Sequence, residues 1–218
     1  MRIEQTFYDR DACTVARSLI GKIIQHKYQD IWLKARIIEA EAYYINEKGS
    51  HSSLGKTAKR LAMFMPAGTI YMYYARGHDS FNISVQGEGN AILLKSCLPV
   101  ADKVLKGKDI RIMQQLNPKL NGQPRSVNKL CAGQTLLCRA LNLKVTDWDQ
   151  QAFNDTNLFI KDDGYIPEKI IQTTRLGIPS GRDEDKPYRF IDYQYSNVCT
   201  SNPLSKRKPP VYKIIEIK

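Results

Sequence analysis

The sequence predicts a mixed α/β (α+β) fold, one unit spanning residues 1–218. Three observations carry that prediction. The chain has 218 residues, 42% of them hydrophobic, which suits one large core-forming domain and excludes global disorder. A helical period near the N-terminus gives way to runs that alternate with period two. A second helical region, residues 101–145, then separates those runs from a C-terminal mixture of short strands and loops.

The elements follow in order. Ala12 to Ile20 has helical spacing, Asp9 or Asp11 can cap it, and Gly21 ends it. Lys22 to Tyr28 alternates loosely, Tyr28-Gln29-Asp30 turns, and Ile31 to Tyr44 is extended. One face of that long strand reads Ile31, Leu33, Ala35, Ile37, Glu39, Glu41, Tyr43. It begins apolar and ends in two carboxylates and a phenol, so an unbroken alternation would put Glu39 and Glu41 on the buried side. Ile45 to about Ala62 is a polar loop too long for a plain connector. After the turn Pro66-Ala67-Gly68, Thr69–Tyr74 and Phe81–Val85 read as strands around Ala75 to Ser80. Gly87-Glu88-Gly89 then leads into a strand over Ala91–Ser96. Residues 101–145 read as mainly helical and basic, with Val127 to Leu141 interrupted by Gly133. Thr173 to Ile178 reads as a short strand entering a turn, and a final strand follows Pro209-Pro210.

Charge and motif content exclude several classes. Lys and Arg number 33 against 22 Asp and Glu, a formal charge of +11, which points to a polyanionic partner, most simply nucleic acid. The excess is spread along the chain, so a basic face fits better than a basic tail. No apolar run approaches the roughly 20 residues of a membrane-spanning helix, and the first residues lack a signal peptide's apolar stretch. Five widely spaced cysteines, with no C-x-x-C pair and no H-E-x-x-H, make a disulfide framework or zinc site unexpected and a reducing cytoplasm the default. Gly87-x-Gly89 lacks the third glycine of a dinucleotide fingerprint, and there is no P-loop. Ser52 and Ser53 beside His51 lack a G-x-S-x-G elbow. Lys206-Arg207-Lys208 reads as solvated surface or a phosphate contact.

Glu41 is the leading candidate for chemistry. A carboxylate on an apolar face, flanked by tyrosines, serves as a base for water if a cation keeps it ionised. A strand-end carboxylate in a structural ion pair fits the residue equally well, and composition alone does not separate the two. Tyr43, Tyr71, Tyr73, Tyr74 and His51 form a second constellation. Singly, strand aromatics are core residues; together on a basic chain they are also suited to stacking an extruded base. Asn82 is either a pocket donor or a strand-end turn residue.

The order of these residues is that of a known family. Glu39-Ala40-Glu41-Ala42-Tyr43, His51-Ser52, Met63-Phe64-Met65-x-x-Gly68-Thr69-x-Tyr71-x-Tyr73, Asn82-Ile83-Ser84 and Gly87-x-Gly89-x-Ala91-x-Leu93-Leu94 resemble the alkyladenine (3-methyladenine) DNA glycosylases. The resemblance takes in Phe7-Tyr8-Asp9, Leu130-Cys131-x-Gly133-x-x-x-Leu137-Cys138, Arg175-x-Gly177 and Lys186-Pro187-Tyr188-Arg189-Phe190, and so covers most of the chain. It implies a compact domain around a curved antiparallel sheet, with a β-hairpin projecting into the DNA minor groove. It implies a monomeric, monofunctional enzyme without metal or cofactor, which removes alkylated or deaminated purines such as 3-methyladenine, 7-methylguanine, ethenoadenine and hypoxanthine from double-stranded DNA. By the match, Glu41 activates the water; Tyr43, His51 and Tyr73 sandwich the base, with Met63 beside them; Asn82 bars unwanted amino groups; and the carbonyl of Leu176 helps hold the water. Lys59 and Arg60, in the polar loop, are expected to contact DNA. No lysine poised for a Schiff base comes with the resemblance.

Two positions depart from the family pattern. Lys95 stands where the family has an arginine beside the water, keeping the charge and losing the planar fork. Arg76 stands where the family wedges a tyrosine into the gap left by the flipped base, in a loop about one residue shorter. Arg76 is therefore expected either to plug that gap or only to contact phosphate. The expected setting is the cytoplasm, at the nucleoid in a bacterium. The rival reading is a non-catalytic nucleic-acid binder on the same fold; a third is action on free nucleosides or RNA.

Overall fold

The N-terminal helix α1, Ala12–Leu19, forms where the period predicts it. Asp11 caps it by accepting from the Thr14 N–H, and Ala12, Val15, Ala16 and Leu19 give it one buried stripe. The chain leaves it through Gly21 at φ +94°, where a Cβ would come within 2.9 Å of the Tyr165 ring, so glycine is required twice over. These features belong to a computed structural model of the protein, which describes residues 1–217.

Strands β1 (Ile23–Tyr28) and β2 (Ile31–Tyr43) form a hairpin. Its two turn residues, Gln29 and Asp30, both have positive φ, the conformation that matches the twist of the flanking strands. A second such hairpin joins β3 (Ile70–Ala75) to β4 (His78–Ser84) through Arg76 and Gly77, at φ +51° and +81°. Strand β5 (Ala91–Pro99) follows. Then come helices α2 (Lys108–Leu116), α3 (Gln134–Ala140) and the single turn α4 (Val145–Trp148). Strands β6 (Leu158–Lys161), β7 (Lys169–Thr173), β8 (Arg189–Asp192) and β9 (Tyr212–Glu216) complete the fold.

The nine strands make one antiparallel sheet, ordered β3-β4-β5-β2-β8-β7-β9, with β1 pairing β2 and β6. The expectation of a curved sheet is overturned: the sheet is not curled. Strand β2 runs beside β5 along one edge, but beside β1 and then β8 along the other. The sheet therefore forks at β2, and its path ends in separate strands, β3 and β9, rather than rolling toward closure.

Helix α1 packs on β2 and β5, and α3 on β4 and β5, around the main core. A smaller cluster of Ile38, Ile171, Ile191 and Cys199 forms beside it. Residues 101–145 are less helical than their composition predicts. Gly133, at φ +129°, splits the expected Val127–Leu141 helix, leaving a short 3-10 turn at Val127–Lys129 and α3. Residues 174–178 are not strand; β7 stops at Thr173. The loop after β2 holds two 3-10 turns, His51–Leu54 and Ala58–Phe64.

Candidate active site

The site begins with an irregularity in β2. Leu33, Ala35 and Ile37 point into the main core, but so do Ala40 and Ala42. The alternation has shifted by one residue, at register breaks between Ile37 and Ala40. Strand β5 shifts with it, since Ile92 and Leu94 share that core with Cys97. The unbroken alternation read from the sequence therefore fails here. Glu39 and Glu41 are both fully buried, yet they face away from the main core, toward β8 and the residues after β7.

The two carboxylates have different company. Glu39 is saturated: it accepts from Arg189 Nε at 2.7 Å, Thr200 Oγ1 at 2.6 Å, Ser96 Oγ at 2.5 Å and the Thr200 N–H at 3.2 Å. Glu41 accepts from the Tyr43 hydroxyl at 2.7 Å and the Leu176 N–H at 3.0 Å, and pairs with Lys95 Nζ at 3.5 Å. Arg189 Nε stands 3.9 Å from it. Burial alone would push the Glu41 carboxyl up. The Lys95 ammonium, the Arg189 guanidinium, the Leu176 N–H and the Tyr43 hydroxyl outweigh that, and hold it below the ordinary carboxylate value. Three donors leave one of the roughly four lone-pair sites of a carboxylate open.

Above Glu41 lies a cleft of about 840 Å³. Tyr43, Lys95 and Leu176, the three partners of Glu41, line it, as do His51, Met63, Tyr73, Asn82 and Arg76. Its aromatic walls are ordered by their own contacts. His51 and Tyr73 meet edge to face at 4.3 Å between ring centres, and Tyr73 stacks on Tyr71 at 5.5 Å. His51 Nδ1 is 3.2 Å from the Tyr71 hydroxyl. Burial, then the Arg60 and Arg182 cations, lower the His51 pKa and favour a neutral imidazole. The Arg175 guanidinium lies 4.6 Å from the centre of the Tyr43 ring and donates to Glu47 at 2.7 Å and to the Ala42 carbonyl at 3.0 Å. Met63 packs against Ala62, Tyr71 and Ala91, and Asn82 donates to the Tyr71 carbonyl at 3.2 Å.

The β3–β4 hairpin carries the rim. Arg76 and His78 are exposed at its tip and Tyr74 is 57% exposed beside them. Two carboxylates hold its base: Asp79 accepts from the Val145 N–H and Asp149 from the Met72 N–H, both at 2.9 Å. Lys59 is exposed outside the cleft, while Arg60 donates to the Leu54 and Gly55 carbonyls and so ties its own loop. Among the described residues no group of three or more His, Cys, Asp or Glu side chains is gathered as metal ligands would be, and no helix is long and apolar enough to cross a membrane.

Three contacts of this arrangement were not foreseen from the sequence, although their residues lie in or beside the motifs quoted above. Arg189 and Arg175, both buried, organise Glu39, Glu41 and Tyr43 from strands and loops distant in sequence. A signal for Arg189 existed, in the form of a charged residue opening the apolar run Phe190-Ile191. Leu176 meets Glu41 through its N–H, whereas the expectation concerned its carbonyl.

A buried, ionised carboxylate beneath an aromatic-walled cleft, on a basic chain with a projecting hairpin, is an arrangement suited to hydrolysis at an extruded base. Comparison with known proteins places the chain in a family. The methylpurine-DNA glycosylase family matches residues 6–196, and the chain belongs to it. It is 54% identical over 204 residues to a candidate 3-methyladenine DNA glycosylase of Pseudomonas aeruginosa, covering 94% of this chain and 85% of that protein. A relative so described in Pseudomonas fluorescens is 55% identical over 204 residues, 94% of this chain and 88% of that one. One in Francisella tularensis is 33% identical over 198 residues, 85% of this chain and 91% of that one.

Proposed function

We propose that the protein is a DNA-repair N-glycosylase that flips alkylated or deaminated purines out of double-stranded DNA and hydrolyses the glycosidic bond, leaving an abasic site. The observation that carries this reading is Glu41, fully buried yet held ionised beside the cleft by Lys95, Arg189, Leu176 and Tyr43. In this role Glu41 uses its open lone-pair site to orient a water and accept its proton as oxygen attacks C1′. Lys95 keeps the carboxylate charged and faces the water, a point charge where a guanidinium fork would fix direction more tightly.

A base inside a duplex is out of reach, so it is extruded at a cost of a few kcal/mol, lowest for bases that pair and stack poorly. The flipped base stacks between Tyr43 on one side and the His51–Tyr73 pair on the other, with Met63 at its edge. Asn82 excludes purines bearing an unwanted amino group. Purines alkylated at N3 or N7 carry positive charge, which aromatic faces attract with about 0.5–1 kcal/mol at exposed sites and more when dry. A neutral His51 adds no repulsion. Such a base is also a good leaving group, so hydrolysis needs little acid catalysis; hypoxanthine would need protonation. Arg76, at the two-residue turn, fills the gap left in the stack, and Lys59 lies against phosphate. Arg60 reaches phosphate only if it releases its loop carbonyls.

The single domain of residues 1–218 acts as a monomer within the same proposal, in the cytoplasm at the nucleoid. Five unpaired cysteines suit a reducing compartment. Single-turnover excision on matched duplexes carrying 3-methyladenine, ethenoadenine, hypoxanthine or undamaged adenine tests it. Release of a damaged base with adenine untouched is expected. No release from any duplex, with tight DNA binding retained, would favour the non-catalytic binder.

A further inference from the structure

Arg175 stands behind the aromatic wall. Its side chain is fully buried and its Cζ lies 4.6 Å from the centre of the Tyr43 ring. Tyr43 lines the cleft and Arg175 does not, so the guanidinium covers the ring face turned away from the cleft. It is fixed there by bonds to Glu47 Oε2 at 2.7 Å, the Ala42 carbonyl at 3.0 Å and the Asp183 carbonyl at 3.2 Å, with the Tyr188 ring centre 5.5 Å away. Among the described residues Glu47 is its one carboxylate partner, and its Nε has no hydrogen-bond partner. Solvent screens a buried cation little, so its field reaches through the ring. A base stacked on the open face, with its centre about 4.5–7 Å from the ring centre, would feel it. We propose that Arg175 is a positioning residue for excision: acting through Tyr43, its charge draws the glycosidic electron pair into the departing base. This rests on the glycosylase reading for the stacking of the base on Tyr43 and deepens it.

The electron count gives the direction. As the C1′–N bond breaks, its electron pair goes to the purine, whose charge falls by one. The sugar becomes positive until water adds to C1′ and Glu41 takes the water's proton. A cationic methylpurine leaves neutral; a neutral purine leaves as an anion and takes its proton from solvent. A cation behind the stack favours both changes. It repels the cationic base while the bond is intact, and attracts the anion as it forms. For neutral lesions it supplies part of what protonation of the base would. Glu41, anionic beside the sugar, and Arg175, cationic behind the base, thus lie at the two ends of the electron flow.

Single-turnover excision against protein concentration tests the proposal, because it separates the half-saturating concentration from the saturating rate. The duplexes carry 3-methyladenine, a cation, or ethenoadenine, which is neutral; uncatalysed loss is subtracted. Arg175→Met should lower the saturating rate on both lesions, by roughly tenfold, yet half-saturate at a lower concentration on the cationic one. A merely structural loss would weaken binding and rate together. Glu47→Gln keeps the shape and strips the guanidinium of its counter-charge, so it should act in the opposite sense. Ethenoadenine should then be released faster at saturation, by about threefold, and the 3-methyladenine duplex should bind more weakly. Saturating rates of Arg175→Met within twofold of wild type, or binding and rate falling together on both lesions, overturn the proposal. A slower Glu47→Gln on ethenoadenine also overturns it, and decides the matter alone if Arg175→Met does not fold. Release of neither lesion by the wild type would sink the glycosylase reading and this inference with it; wild-type release with the variant pattern absent sinks this inference alone.

Discussion

Arg189→Met should destabilise the protein and disturb the site at once. Arg189 is 1% exposed, and its guanidinium donates to Glu39 at 2.7 Å, Thr200 Oγ1 at 3.0 Å and the Ser201 carbonyl at 2.8 Å. Removing one member of a buried ion pair costs about 3–5 kcal/mol, because the other charge stays behind. Glu39 keeps Ser96 and both Thr200 donors, which sets the expectation at the low end, about 3 kcal/mol. That is a large part of the roughly 5–15 kcal/mol of a typical domain, and corresponds to a fall in Tm of roughly 6–12 °C at this size. Urea unfolding measures it as a lower midpoint at unchanged slope. Adding Glu39→Gln removes the stranded charge and should recover much of the loss. Glu41 also loses a cation 3.9 Å away, so its pKa rises and the acid limb of excision moves to higher pH. A single-mutant cost below about 1 kcal/mol, typical of an exposed pair, or losses that simply add in the double mutant, would refute the reasoning.

Tyr43→Phe keeps the ring and removes the hydroxyl that donates to Glu41 at 2.7 Å. A hydrogen bond to a charged group is worth about 1.5–3 kcal/mol, so single-turnover excision should slow by roughly 10–150-fold while damaged-DNA binding, measured by anisotropy, holds. The folded-state pKa of Glu41 is depressed, so the base is ionised above that value. Excision of a cationic lesion should persist down to the usual carboxylate range and fall as pH drops through the depressed pKa. Stability linked to Glu41 is complete above the unfolded value of about 4.3 and is lost as pH falls through the folded one, as denaturation across pH 2–6 would show. Arg76→Ala should weaken binding to lesion-containing duplex far more than to undamaged duplex. Equal weakening with a salt slope reduced by roughly 0.9 would make it a phosphate contact instead.

How far the sequence could be read depended on distance along the chain. Helix α1, the β1–β2 hairpin and the β5 strand were readable because period and turn chemistry are local, whereas the connection read as Ala75 to Ser80 is a two-residue turn, with His78 to Ser80 already paired in β4. The cleft residues Tyr43, His51, Met63, Tyr73 and Asn82 were singled out, and the fold brings them to one cavity. The shift in β2 was invisible because Ile37-Ile38-Glu39-Ala40 contains no glycine or proline to mark it; only pairing with β5 shows that the alternation changes face. The sheet's fork depends equally on which strands flank β2. Lys95 and Leu176 were named beside Glu41 only through the resemblance, Leu176 by its carbonyl rather than its N–H, and the approach of Arg189, 148 residues further on, escaped notice for the same reason. Gly133 was seen to interrupt a helix, but not to end it, since the missing turns depended on its positive φ.

The central claim is that Glu41 activates the water that releases the base. Its most direct test is Glu41→Gln in single-turnover excision of 3-methyladenine, with binding to the same duplex measured alongside. Retained binding with excision reduced by about 10²–10⁴-fold, the usual contribution of a positioned general base, is the predicted result. A Glu41→Gln protein that binds and excises at the wild-type rate would contradict it.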